Sequence, residues 1–169
     1  MTLTVPVTAE RRSYSGSVVR LLAAVALVMT SNGVLLMLWG VRSTQAGFGS
    51  TATSVVLACY YVGFLAGSVS ARRLMGRLGT SWSFTVMGGI VAGVALLAPL
   101  RVSVAFWSAL RVLQGFCFAA IYVIVESWFN RATANHVRGR VLGVYLAVVM
   151  GAFAVGSLVF ARAGTGGPL

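Results

Sequence analysis

The sequence predicts an all-α integral membrane protein with five transmembrane helices, and two observations carry that expectation. Of its 169 residues, 59% are hydrophobic and only 9% are charged, where a soluble domain carries about 25% charged residues. Thirteen basic and two acidic side chains cannot cover the surface of a soluble chain this long. The charges also divide the chain into five apolar stretches, each able to supply the roughly 20 helical residues that cross a hydrocarbon core. A water-soluble enzyme or binding module is excluded, and the lipid bilayer is the first partner the composition implies.

Residues 1–17 form a polar segment, with Arg11 and Arg12 ahead of the first apolar stretch. That stretch is too long for a signal-peptide core and lacks a small-residue cleavage site, so it reads as a retained signal-anchor helix. Leu21 to Val41 carries no charge, which places the first span at 18–40. Ser43 to Ala71 is also uncharged and holds a short loop (Gln45 to Ser50) before a second span at 52–71. Leu78 to Leu100 supplies the third, at 81–100. The fourth, at 103–128, is interrupted by Arg111 and, near its end, by Glu126; Val141 to Ala161 supplies the fifth, at 141–161. Residues 162–169 remain as a short tail.

Every basic residue is an arginine, and loop arginines set orientation. Arg11, Arg12, Arg20, Arg72, Arg73, Arg77, Arg131, Arg138 and Arg140 fall on one side, against Arg42, Arg101 and Arg162 on the other. The positive-inside rule then predicts a cytoplasmic N-terminus. The net charge of +11 is thereby explained as a topology label, and no nucleic-acid partner is expected.

Small residues four apart let helix backbones approach in lipid, where packing replaces the hydrophobic drive. Gly63 and Gly67 in span two, Gly89 and Gly93 in span three, Gly115 and Ala119 in span four, and Gly143, Ala147 and Gly151 in span five follow this spacing. They predict a compact bundle and say nothing about a ligand.

A few polar residues inside the spans stand out. Arg111 lies about 12 Å inside the outer end of span four at 1.5 Å per residue. A charge at that depth faces a bundle interior or an aqueous cavity, or else snorkels to the interface. Glu126 requires a cation, which Arg72, Arg73, Arg77, Arg138 and Arg140 can supply, either as a conformation-dependent latch or as a fixed interfacial ion pair. Fifteen residues separate it from Arg111, over about 20 Å of helix, so those two do not pair. Asn32, after Thr30 and Ser31, must find partners in mid-membrane; interhelical bonding is the commoner outcome and cavity lining the other. Tyr60, Tyr61 and Tyr122 are amphipathic candidates of the same kind. Trp82, Trp107 and Trp128 read as interface anchors, and His136 as solvated. Cys59 and Cys117 have no metal-ligand spacing and behave as small hydrophobes. There is no acid pair, no His–carboxylate cluster and no GxSxG, and Gly88-Gly89 sits inside a helix. Neither enzymatic activity nor a cofactor or metal is expected.

Leu110-Arg111-Val112-Leu113-Gln114-Gly115-Phe116 resembles the RxxQG-type fourth-helix motif of the major facilitator superfamily (MFS). Arg73-Leu74-Met75-Gly76-Arg77-Leu78-Gly79 resembles a degenerate copy of its G-x-L-a-D-R-x-G-R-R loop signature. Leu74, Arg77 and Gly79 match; Gly76 replaces the acid, Arg72 the first glycine, and Thr80-Ser81 the trailing basic pair. Ser31-Asn32-Gly33, the run from Tyr61 to Ser68, Glu126-Ser127-Trp128-Phe129-Asn130 and Arg138-Gly139-Arg140-Val141-Leu142 are closer still to one bacterial inner-membrane branch with poorly defined substrates.

This resemblance, over residues 18–160, implies a secondary transporter of a small solute that works by alternating access, coupled to an ion gradient with the proton as the candidate ion. It implies substrate or coupling roles for Arg111 and Gln114, with Asn32, Tyr60 and Tyr122 as further candidates. It also implies a cytoplasmic charge latch among Arg73, Arg77, Glu126, Arg138 and Arg140. The superfamily builds two six-helix halves, so five spans read as an incomplete N-terminal bundle, with a C-terminal half expected as its partner. Span five has no proline, and the antiporter-type signature is not met. The rival reading is a small, complete five-span protein acting as a structural or assembly partner, oligomeric through its glycine stripes.

Overall fold

The computed structural model describes residues 7–133 and 138–164. Five helices follow one another: α1 (Val7–Gln45), α2 (Ser50–Leu78), α3 (Thr80–Leu97), α4 (Val104–Ala132) and α5 (Arg138–Gly164). A 3-10 turn at Ala98–Leu100 joins α3 to α4, and no strand occurs among the described residues. Each helix contains a segment long and apolar enough to cross a membrane. The chain is thus an all-α, multi-pass membrane protein.

Helix ends lie where local chemistry dictates. Gly79 takes φ +78, a conformation that L side chains rarely adopt, and its N–H closes α2 on the Met75 carbonyl. Ser103 caps α4 by accepting from the Phe106 N–H at 3.3 Å, which satisfies one of the donors that a helix N-terminus leaves open. Nothing in residues 7–17 breaks a helix, and α1 extends back through part of the polar leader to Val7. His136 lies outside the described residues.

Two compact units arise. The first combines the described residues up to Val34 with those from Gly143 onward. Here α1 and α5 meet backbone to backbone. A Cβ on Gly33 would collide with the Phe153 carbonyl, and one on Gly156 with the Thr30 carbonyl. Val25, Met29, Tyr145 and Val149 are buried in this unit. The Thr30 and Ser31 hydroxyls return to their own helix, donating to the Ala26 carbonyl at 2.8 Å and the Val28 carbonyl at 2.6 Å, which removes their need for a distant partner.

The second unit, Leu35–Leu142, holds α2, α3, α4 and the end of α1. Its centre is α4, 61% of whose apolar window is buried, against 17–28% in the other spans. A helix covered on most of its surface needs apolar residues on more than one face, and Leu110, Phe118, Ile121, Ile124, Val125 and Phe129 supply them. On its other flank, α3 buries Ser83, Met87, Val91 and Val94, a heptad-like stripe.

Against α2, α4 packs through glycine. A Cβ on Gly63 would run into the Val112 carbonyl, one on Gly67 into the Phe116 carbonyl, and one on Gly115 into the Tyr60 carbonyl. Gly89, Gly93, Gly143 and Gly151 differ from the packing expected of them, since a Cβ on any of these would meet nothing within 4 Å. Spacing marks a small-residue stripe, but only the approach of a neighbouring backbone makes it a contact.

Candidate functional site

Arg111 and Gln114 stand three residues apart on α4, so their side chains share one face. Both are buried, at 2% and 0% exposure. The glycine contacts between α2 and α4 bring the α2 backbone within reach of this face. The Arg111 Nη2 accordingly donates to the Leu57 carbonyl at 3.4 Å, and its guanidinium lies over the Tyr60 ring, 4.7 Å from the centroid. A cation over an aromatic face gains electrostatic stabilisation that grows when water is excluded. Arg111 therefore faces the protein interior and does not snorkel.

Gln114 joins two elements. Its Oε1 accepts from Arg111 Nη1 at 3.1 Å and from the Trp39 indole N–H at 2.9 Å. Two donors converging on one atom fix the amide orientation, which leaves the Nε2 pointing away. Trp39 in turn meets Trp107 edge-on, with centroids 5.4 Å apart. Trp107, expected at the interface, is 4% exposed and donates its indole N–H to the Ala98 carbonyl at 3.1 Å. Its polar end is satisfied by protein, so no water is needed. Trp82 is 61% exposed, as an anchor would be.

The cluster is rich in donors. Arg111 Nε and Gln114 Nε2 are both buried without a partner. A buried donor left unpaired costs the desolvation of that group, so natural sites rarely keep one without a reason.

Tyr60 is part of this cluster. Tyr122 is not; its ring meets Phe64 at 6.1 Å, and Phe64 meets Tyr60 at 6.0 Å, an aromatic ladder running along α2 and α4. Tyr61 is 70% exposed. Asn32 is buried in the first unit, at 8% exposure.

Farther along α4, a cleft of about 390 Å³ is lined by Ser68, Arg72, Glu126, Ser127 and Asn130, among others. Arg73, Arg77 and Arg140 are exposed, and Arg138 donates to the Asn130 carbonyl at 3.3 Å. Among the described residues Glu126 forms no ion pair. The arginine sharing its cleft is Arg72, which faces it from α2.

Trp39 and the Leu57 carbonyl were not legible as site groups. For Trp39 a signal existed, because an indole N–H inside an apolar span needs an acceptor. A backbone carbonyl carries no such mark.

Comparison with known proteins adds a lineage. Residues 21–164 match the model of the Major Facilitator Superfamily. The chain is 31% identical over 153 residues to proteins of Salmonella paratyphi B, Salmonella newport and Salmonella typhimurium, each described as an uncharacterized MFS-type transporter YcaD. These alignments take in 89% of this chain and 39% of each relative, so the chain spans about two fifths of their length. No solved structure matches it. With a match across nearly all of its apolar length, the chain belongs to the Major Facilitator Superfamily.

Proposed function

We propose that this chain contributes the N-terminal helices of a secondary transporter of a small solute, in a bacterial inner membrane with its N-terminus in the cytoplasm. Arg111, held by Gln114 and Tyr60, is its solute- or coupling-contacting group. One observation carries the reading: a buried arginine inside a span, with a side-chain donor still unused. Burying a charge in a span costs at least about 2.5–3.5 kcal/mol on insertion scales. A purely structural position could be filled by an apolar residue at no such cost. The superfamily match and the arginine-rich flank of one membrane side support the transport role and the orientation.

The experiment replaces Arg111 by Gln at the native gene, so that whatever polypeptide carries this chain is assayed. Growth across a panel of nutrients and toxic solutes is compared with that of a deletion strain. The variant should reproduce the deletion's defects while its level in the membrane stays normal. Wild-type growth wherever the deletion fails would remove Arg111 from the mechanism.

A further inference from the structure

We propose that a cavity in the second unit, walled by the ends of α1 and α3 and the start of α4, binds an anionic phospholipid. The acyl chain lies inside and the phosphate on Arg42, whatever solute Arg111 contacts.

Lining is the first argument. The cavity holds about 400 Å³ and runs from a buried floor of Leu35, Trp39 and Trp107 to an exposed rim of Arg42, Gln45 and Val102. Its volume is in the range of ligand pockets. Arg42, Gln45 and the two indole N–H groups are the only polar side-chain groups that line it. Both N–H groups are already bonded, that of Trp39 to Gln114 and that of Trp107 to the Ala98 carbonyl. A ligand therefore gains by burying hydrocarbon and finds polar side chains for its head only at the rim.

Depth is the second argument. Arg42 lies in the last turn of α1, and Gln45 ends both the helix and its apolar span. The rim thus sits where hydrocarbon gives way to headgroups. Leu35 precedes Arg42 by seven residues, about 10 Å deeper along the axis. A molecule with an apolar chain at that depth and a polar head above it has the build of a membrane lipid.

Charge then selects the headgroup. A guanidinium offers paired N–H donors to phosphate oxygens. Gln45, three residues on, shares its face and can donate to an ester carbonyl. In the chain, Arg101 stands between Pro99 and Val102, which both line the cavity, and brings a second cation to the same end of the unit. A zwitterionic lipid adds an ammonium that these arginines repel; an anionic one does not.

The test uses the intact polypeptide that carries this chain, purified into nanodiscs of dioleoylphosphatidylcholine. Dibrominated phosphatidylglycerol or dibrominated phosphatidylcholine is introduced at rising mole fraction. Tryptophan emission is the readout, because bromine quenches indoles that it touches and Trp39 and Trp107 form the floor. Trp82, exposed on α3, reports the surrounding lipid as a non-saturable background. The anionic lipid should add a saturable component that the zwitterionic lipid lacks. Arg42→Gln should weaken its apparent affinity about fivefold, and Arg42→Lys should retain most of it. Ala95→Phe, which fills the cavity from α3, should remove the component with Arg42 in place. Because Arg42 is exposed, its replacement leaves the core intact and decides the question even where Ala95→Phe fails to fold. Equal quenching by the two lipids, or an affinity unchanged in Arg42→Gln, overturns the anionic headgroup. A saturable component that survives in folded Ala95→Phe overturns the cavity as its seat. No saturable component in the wild type would mean that another part of the polypeptide covers the cavity, and overturns the site altogether. The growth assay of Arg111→Gln is independent of all these outcomes, so the transport reading and the lipid site fail separately.

Discussion

The Trp39 indole nitrogen donates to Gln114 Oε1 at 2.9 Å, joining residues 75 positions apart in the chain. The same oxygen receives Arg111, so one amide ties the end of α1 to the charge on α4. Replacing Gln114 by Leu strands two donors, one of them on a cation, and should destabilise the fold by about 2–4 kcal/mol. Trp39→Phe loses one neutral bond and part of a buried ring but strands no charge, and should cost less, about 1–2 kcal/mol. Unfolding in mixed micelles measures both. Equal costs would mean that Arg111 does not depend on Gln114.

Glycine contacts offer a second check. At Gly63 and Gly115 a Cβ would strike backbone, which cannot move aside as a flexible side chain can. Gly63→Ala and Gly115→Ala should each destabilise by about 2 kcal/mol or more, as overpacking does. Gly89→Ala, where a Cβ meets open space, should lie within about 0.5 kcal/mol of wild type or gain from the reduced freedom of the unfolded chain. Because Arg111 reaches Leu57 only while α2 stays close, the first two changes should also impair transport.

These cases show what a linear sequence discloses about a bundle. Five spans were legible because lipid demands long uncharged segments, and Arg111 because a charge inside one is anomalous. Gln114 entered only through the motif that contains it. Trp39 did not enter, since its significance depends on a contact across 75 positions that no local pattern encodes. The glycine stripes were half legible. Their spacing is right at Gly63, Gly67 and Gly115, yet the same spacing at Gly143 and Gly151 meets no backbone, while Gly33 and Gly156 pack tightly from single positions. Periodicity names a face; the neighbour that covers it is a tertiary fact. The latch illustrates the same limit, because Arg72 lines the Glu126 cleft while the motif-matched Arg77 does not.

Membrane orientation can be read directly. The proposed topology puts the 46–49 loop outside and the end of α2 inside. A membrane-impermeant maleimide should label Gly49→Cys in intact cells and Gly76→Cys only after the membrane is opened. Both positions are exposed, and a Cβ at either meets nothing within 4 Å. The native thiols contribute little background, since Cys117 is fully buried and Cys59 is half-buried within the α2 span, away from the aqueous reagent. The reverse labelling pattern would invert the proposed orientation.

The cleft holding Arg72 and Glu126 yields the last prediction. Both groups line one cavity of about 390 Å³ with Ser68, Ser127 and Asn130. They face the cleft from α2 and α4, and among the described residues no ion pair joins them. If the pair closes during the transport cycle, neutralising either member removes the same interaction, and the second change adds little. In the intact transporter, Glu126→Gln and Arg72→Gln should each slow transport several-fold, with a coupling of about 0.5–1.5 kcal/mol in the double mutant. Glu126→Gln combined with Arg77→Gln should be closer to additive, because Arg77, on the last turn of α2, does not line the cleft. The measurement is the initial rate for all five variants and wild type on the solute that the growth panel identifies. Stronger coupling to Arg77 than to Arg72 would return the latch to the position that the loop motif indicates, and would mean that the helix ends rearrange during the cycle.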